Sequence, residues 1–275
     1  MGIVIKSGKE VPFPVGSHVF VQQDPFKGSL QEYAIADGRY AAIVPEGIPD
    51  VEIALYPVNA VTAAKSLFSP EGLNFPFPGT AEAANFDFSA QHIVILGGGT
   101  NCSKLAIQFA RLAGIGTIVA VASVSGGPLL RDLGATHVID RRSASIKDQV
   151  HAAIEGEVLN VFDTYGNLDL GVSLLSEKQE GTLVHITHGK AAEEVIAKKK
   201  AKFEQKFLRG NSDSNAVFGK QFWKQFPLWL KAGDFKPLSY NVIEGMNVKK
   251  VNEVLDSYRD GKGSDRYHIR LSTSD

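Results

Sequence analysis

The sequence predicts an α/β fold built on a doubly wound parallel sheet, and three observations carry that prediction. A short unbroken apolar run, Ile93 to Leu96, leads into Gly97, Gly98 and Gly99 and then into a helical pattern. A second strand-like run, Thr117 to Ala122, follows at the spacing of a strand–helix–strand unit. Beyond it, helix-like and strand-like segments keep alternating as far as Ile186, the arrangement expected of parallel strands with crossover helices.

Each element has its own reason. Ile93 to Leu96 is apolar without a break, as befits a strand buried on both faces. Leu105, Phe109 and Leu112 recur at helical spacing and Gly114 ends the helix. The second strand ends at Ser123, and Pro128 to Leu133 forms a short helix closed by Gly134. His137 to Asp140 is the third strand, Leu159 to Asp163 the fourth and Thr182 to Ile186 the fifth.

Unpaired amides at the start of a helix, backed by its dipole, suit a pyrophosphate, so the glycine turn reads as a Rossmann-type dinucleotide site. Its candidate cofactor-binding residues are Gly97, Gly98, Gly99, Thr100, Asn101, Cys102 and Ser103. The full G-x-G-x-x-G pattern would need a glycine at Cys102, although Cys102 and Ser103 are both small enough for close helix–strand packing. An NAD site would carry a carboxylate at the end of the second strand. This chain has Ser123 and Ser125 there, with Arg131 and Arg141 further on. Hydroxyls and guanidinium groups accommodate a 2′-phosphate, so NADPH is expected in preference to NADH.

At 275 residues the chain is long enough for one large domain or two modest ones. Its hydrophobic content is 44% and its mean hydropathy is near zero, ordinary for a globular protein with a core. The formal net charge of −1 gives no general attraction to nucleic acid or to an anionic membrane. No apolar run reaches the length of a membrane span. Cys102 is the only cysteine, which excludes an internal disulfide and a four-cysteine zinc site. A cytoplasmic protein is the expectation.

Several segments together resemble the medium-chain dehydrogenase/reductase superfamily. Val15 to Gln22 is similar to its strand after a Val-Gly turn, and Gly28 to Asp37 to the glycine-to-tyrosine strand that follows. Ile43 to Ile48 resembles the proline-containing exit from its small β-domain, and Pro57 to Leu67 the helix entering the nucleotide domain. Leu133 to Asp140, LGATHVID, is the most specific match together with the glycine turn. Phe218 to Leu238 and Tyr267 to Leu271 resemble the C-terminal return segment. Within the superfamily the likeness is to the zinc-independent branch of quinone oxidoreductases and trans-acting enoyl reductases.

That resemblance implies a Rossmann nucleotide-binding domain at 57–232 and a truncated GroES-like β-domain at 1–56, to which 233–275 returns. Gly2 to Phe20 looks like a segment from the middle of the barrel, so the opening half is expected to be missing. Strand edges left without partners need a cover, and a homodimer is expected. The resemblance further implies an NADPH-dependent reduction of a polarised C=C bond in an enone, quinone or enoyl thioester, in secondary metabolism. A redox-neutral cyclase or isomerase, and a cofactor-binding scaffold, remain open as alternatives because the substrate domain is incomplete. Zinc catalysis is not expected, since the seven histidines show no metal-binding spacing.

Candidates for chemistry cluster after the fourth and fifth strands, where a doubly wound sheet presents its ligand-facing loops. Tyr165, followed by Gly166 and Asn167, can donate a proton or polarise a carbonyl, or pack on the cofactor. His188, beside Thr187, is a candidate for proton transfer, although a polar loop histidine without a role is commoner. By resemblance, Thr62 lies near the nicotinamide amide, and Tyr33 and Tyr40 line the pocket or the core of the barrel remnant. Ala192 to Gly210, rich in lysine, reads as a solvated helix face, or as a docking surface for an acidic acyl carrier protein. Phe218, Phe222, Trp223, Phe226 and Trp229 form a helical apolar stripe in which Pro227 marks a kink or a start.

Overall fold

The computed structural model describes residues 1–22, 30–262 and 266–271. Three short strands open the chain: β1 (Gly2–Ile3), β2 (His18–Val21) and β3 (Ala41–Ile43). They are followed by α1 (Asp50–Ile53), α2 (Tyr56–Phe68) and α3 (Ala81–Ala84). The alternating region runs β4 (His92–Leu96), α4 (Asn101–Ala113), β5 (Thr117–Ala122), α5 (Gly127–Leu133), β6 (His137–Asp140) and α6 (Ile146–Ala153). It continues with β7 (Asn160–Asp163), α7 (Leu168–Leu174), β8 (Gly181–His185), α8 (Glu193–Ala197) and β9 (Phe203–Phe207). The chain closes with α9 (Ala216–Ala232), β10 (Asn241–Glu244), α10 (Val248–Arg259) and β11 (Tyr267–Arg270).

Two compact units result, one from residues 59–211 and the other from 1–58 with 212–275. In the first, all six strands are parallel and lie in the order β6-β5-β4-β7-β8-β9. Renumbered from β4, this is the 3-2-1-4-5-6 order of the dinucleotide-binding sheet. Its direction of winding reverses between β4 and β7, which makes that crevice the topological switch point. Ile93, Val94 and Ile95 are all fully buried, because helices cover both faces of the sheet. On one face Val94, Leu96, Val119, Val121, Val161 and Leu183 pack with Val150, Val172 and Leu174 of α6 and α7. Gly114 ends α4 in the left-handed conformation at φ 90°.

The other unit holds the antiparallel sheet β1-β2-β3 and the parallel pair β10-β11. The aromatic stripe of α9 is its core. Phe222 stacks on Phe226 with centroids 4.9 Å apart, Trp223 lies 5.4 Å from Phe20, and Trp223 Nε1 donates to Ser212 Oγ at 2.9 Å. Tyr40 is buried in this core, whereas Tyr33 is exposed. Ile3, Ile5, Val15 and Ile35 are also exposed.

Three expectations need correction. Residues 30–37 carry no strand; Gly28 and Ser29, the start of that expected strand, lie outside the described residues. Ala192 to Gly210 is not one solvated helix face. It forms the short α8 and then the edge strand β9, in which Phe203 and Gln205 lean one way and Glu204 and Lys206 the other. Two of its lysines are engaged, Lys199 against Glu177 and the Leu175 carbonyl, and Lys206 with Glu204 and Gly72 O, while Lys198, Lys200 and Lys202 are exposed. Pro227 lies inside α9, which runs on to Ala232, so it starts no helix; without an N–H it leaves the Trp223 carbonyl with no bond from the next turn.

Candidate functional site at the switch point

The turn between β4 and α4 divides its work among three glycines. Gly97 adopts φ 77°, and a Cβ there would stand 2.8 Å from both Thr164 Oγ1 and Tyr165 Cβ. Gly98 presses against Ala120, Ala122 and Leu130, each 3.3 Å from a built Cβ. Gly99 faces open space, with nothing within 4 Å of a Cβ. Thr100 caps α4 by accepting the Ser103 amide on Oγ1 at 3.1 Å. The Gly98 amide is spent on Val121 O and the Thr100 amide on Gly97 O. Among the described residues, the amides of Gly99, Asn101 and Cys102 have no protein acceptor. Unclaimed amides, a helix N-terminus and cleared space at Gly99 are what a pyrophosphate requires. Cys102 itself is buried, its thiol turned toward Asn59 O at 3.9 Å and pushed up to about 12 by burial, so it is no nucleophile.

Across the crevice, the loop after β7 is held by two residues that the sequence reading did not single out. Asp163 is fully buried, and its Oδ1 accepts the amides of Tyr165 at 2.8 Å and Gly166 at 3.0 Å. Burial raises its pKa from the ordinary carboxylate range, against these hydrogen bonds and the neighbouring His185. Its other oxygen, Oδ2, is buried with no partner among the described residues. Thr164 Oγ1 lies 2.9 Å from Thr100 Oγ1, 2.8 Å from Ser103 Oγ and 3.2 Å from Leu96 O. Tyr165 is exposed above this pair.

The loop after β8 has a similar anchor. His185 is buried, with Nδ1 2.8 Å from Thr187 O and Nε2 3.1 Å from Gln205 Nε2. Since Thr187 O can only accept, Nδ1 donates to it, while Nε2 faces the Gln205 amide. Thr187 Oγ1 is buried without a partner among the described residues and lies 3.1 Å from a Cβ built at Gly166. His188 is exposed and packs its ring on Phe207 at 4.5 Å. Tyr165, Gly166 and Thr187 therefore gather at adjoining strand ends, with His188 next to them along the edge.

At the end of β5, Ser123 and Ser125 are exposed, with their hydroxyls 3.2 Å apart. Arg131 folds back over α5, its Nη1 3.2 Å from a Cβ built at Gly127. Arg141 follows β6, its amide bonded to Ala122 O. Neither guanidinium takes part in an ion pair among the described residues. Asp140, beside Arg141 in sequence, accepts the Arg142 amide on Oδ1. Thr62 is buried in α2, where its Oγ1 would collide with any side chain at Gly210. Among the described residues, no three of His, Cys, Asp and Glu come together as metal ligands, and no helix is long and apolar enough to cross a membrane.

With this geometry in hand, comparison with known proteins gives a consistent picture. Residues 103–224 match the sequence family described as zinc-binding dehydrogenase. The trans-enoyl reductase himH of Aspergillus japonicus is 28% identical over 290 aligned positions, which span 100% of this chain and 80% of that protein. An alcohol dehydrogenase superfamily protein from Novosphingobium aromaticivorans superposes with a TM-score of 0.75 at 20% identity, over 98% of this chain and 80% of that one. A quinone oxidoreductase from Pseudomonas syringae gives 0.75 at 16% identity, over 98% and 79%. The resemblance to the medium-chain dehydrogenase/reductases is thus borne out, as is the expected α/β fold with its parallel Rossmann sheet.

Proposed function

We propose that this chain, a relative of the medium-chain dehydrogenase/reductases, is an NADPH-dependent oxidoreductase that reduces the polarised C=C bond of an enone, quinone or enoyl thioester in secondary metabolism. The observation that carries the reading is the open position at Gly99 beside three unclaimed amides, set at the switch point of the sheet. In this reading the pyrophosphate rests on Gly99, Asn101 and Cys102 amides, and Ser123, Ser125, Arg131 and Arg141 hold the 2′-phosphate. NADPH bound there supplies a hydride. The trans-enoyl reductase and quinone oxidoreductase names of the relatives support a C=C acceptor.

The remaining chemistry is orientation and charge. The substrate carbonyl must be polarised as hydride arrives at the β-carbon, and the resulting enolate must take a proton at its α-carbon. Tyr165 is assigned either role through its hydroxyl, and the hold of Asp163 on its backbone amide supports the assignment. His188 is the second proton source on the same rim. Gly166 and Thr187, with Thr62, are assigned to the nicotinamide side. The substrate is a free small molecule or an acyl thioester on a carrier protein.

Turnover of NADPH with a panel of enones, quinones and enoyl thioesters tests this. Tyr165→Phe is expected to lower kcat by about 10²-fold if its hydroxyl is the acid. Arg131→Ala is expected to weaken NADPH about tenfold and leave NADH almost untouched. Equal losses for both nucleotides would remove the 2′-phosphate assignment. NADPH binding without oxidation on any acceptor would instead favour the scaffold or redox-neutral alternative.

A further inference from the structure

We infer that Thr164 is a positioning residue that locks the phosphate-binding turn to the loop carrying Tyr165, so that one hydroxyl sets both ends of the nucleotide crevice. The inference deepens the nucleotide-site reading and rests on it, although the contacts themselves exist without any ligand.

The hydrogen-bond bookkeeping around this hydroxyl closes. Thr100 Oγ1 already accepts the Ser103 amide, so its proton is free to go to Thr164 Oγ1, 2.9 Å away. Ser103 Oγ, at 2.8 Å and fully buried, donates to the same oxygen. Thr164 then uses its own proton on the carbonyls of Leu96 or Gly97, at 3.2 and 3.3 Å. One oxygen accepts twice and donates once, which is its full capacity. Its backbone amide bonds Leu96 O as well, extending the β4–β7 ladder by one residue.

Three functional parts meet there. Leu96 and Gly97 are the exit of β4, Thr100 and Ser103 are the N-terminus of α4, and Tyr165 is the next residue along. Asp163 secures the far side of the loop through the Tyr165 and Gly166 amides. The left-handed Gly97 is what allows this approach, since a Cβ would sit 2.8 Å from Thr164 Oγ1. Movement of the turn toward or away from a phosphate therefore has to move Tyr165, or break a buried hydroxyl cluster in which every proton has an acceptor.

Thr164→Val keeps the shape and removes the hydroxyl; Thr164→Ser keeps the hydroxyl and removes the methyl. We would measure NADPH affinity by fluorescence titration and amide hydrogen exchange over residues 97–103 in the nucleotide-free protein. Val172→Ala, a buried change in α7 away from the crevice, serves as the control for general destabilisation. Thr164→Val is expected to raise the Kd about tenfold and accelerate exchange at Ser103, with Thr164→Ser within about twofold of the parent. Val172→Ala should lower Tm with the Kd unchanged. The inference is overturned if Thr164→Val matches the parent, if serine fails as badly as valine, or if the control moves the Kd equally. Should the parent bind no nucleotide, the functional reading fails by itself. The exchange rates then decide the clamp alone, faster with valine only in support and any other pattern against.

Discussion

Gly99 and Gly97 sit two residues apart and should respond oppositely to the same substitution. A methyl at Gly99 meets no protein atom, so Gly99→Ala should fold with stability within about 1 kcal/mol of the parent. It fills the space assigned to the pyrophosphate, and NADPH affinity should drop at least about tenfold. Gly97→Ala must instead accommodate φ 77° and two contacts at 2.8 Å, so it should lose stability first. Chemical denaturation alongside nucleotide titration separates the two, and an unchanged Kd in Gly99→Ala would mean that nothing approaches the turn there. At this scale the glycines and the cap were readable in order, as LGGGTNCS. Thr164 was not, because its partners Thr100 and Ser103 lie 64 and 61 residues away in sequence. The same holds for Gln205, which reaches His185 from 20 residues away.

Among the elements, β5 and β6 fall at the residues their apolar runs predict, Thr117–Ala122 and His137–Asp140. Both are internal to the turn–strand–helix rhythm, and β5 is buried nearly throughout, so the pattern is unambiguous. The strand β9 escaped for the opposite reason. It reads FEQKF and is nowhere fully buried, so no apolar run marks it among the lysines around it. Yet Gln205 on this strand supports the whole β8 loop, donating to His185 Nε2 and Gly189 O and accepting from the Ala191 amide. Gln205→Leu should therefore cost about 1–3 kcal/mol by stranding buried polar groups. Substituting exposed Lys202 by leucine should cost far less. Urea unfolding distinguishes them; equal, small effects would show that the network is idle.

On the scale of the whole molecule, two compact units share one chain. The unit of residues 59–211 has a six-stranded sheet and a buried core on both faces, and its fold could be read almost entirely from hydrophobic runs and turns. The other unit was harder to read. Its strands are two to four residues long, and its core is supplied by the aromatics of α9 from the far end of the chain. Its Ile3, Ile5, Val15 and Ile35 stay exposed, so burial explains less of its sequence pattern. A ligand that binds only the folded chain stabilises it, so on the proposed function NADPH at about 100 times its Kd should add about 2.7 kcal/mol, read as a rise in thermal-unfolding temperature.

The most direct test is a fluorescence titration of the purified protein with NADPH and, in parallel, with NADH. The account predicts saturable enhancement of nicotinamide fluorescence by NADPH, with NADH binding markedly weaker. Absence of binding by either nucleotide would contradict it, and the glycine turn at Gly97–Gly99 would then be a structural bend without a ligand.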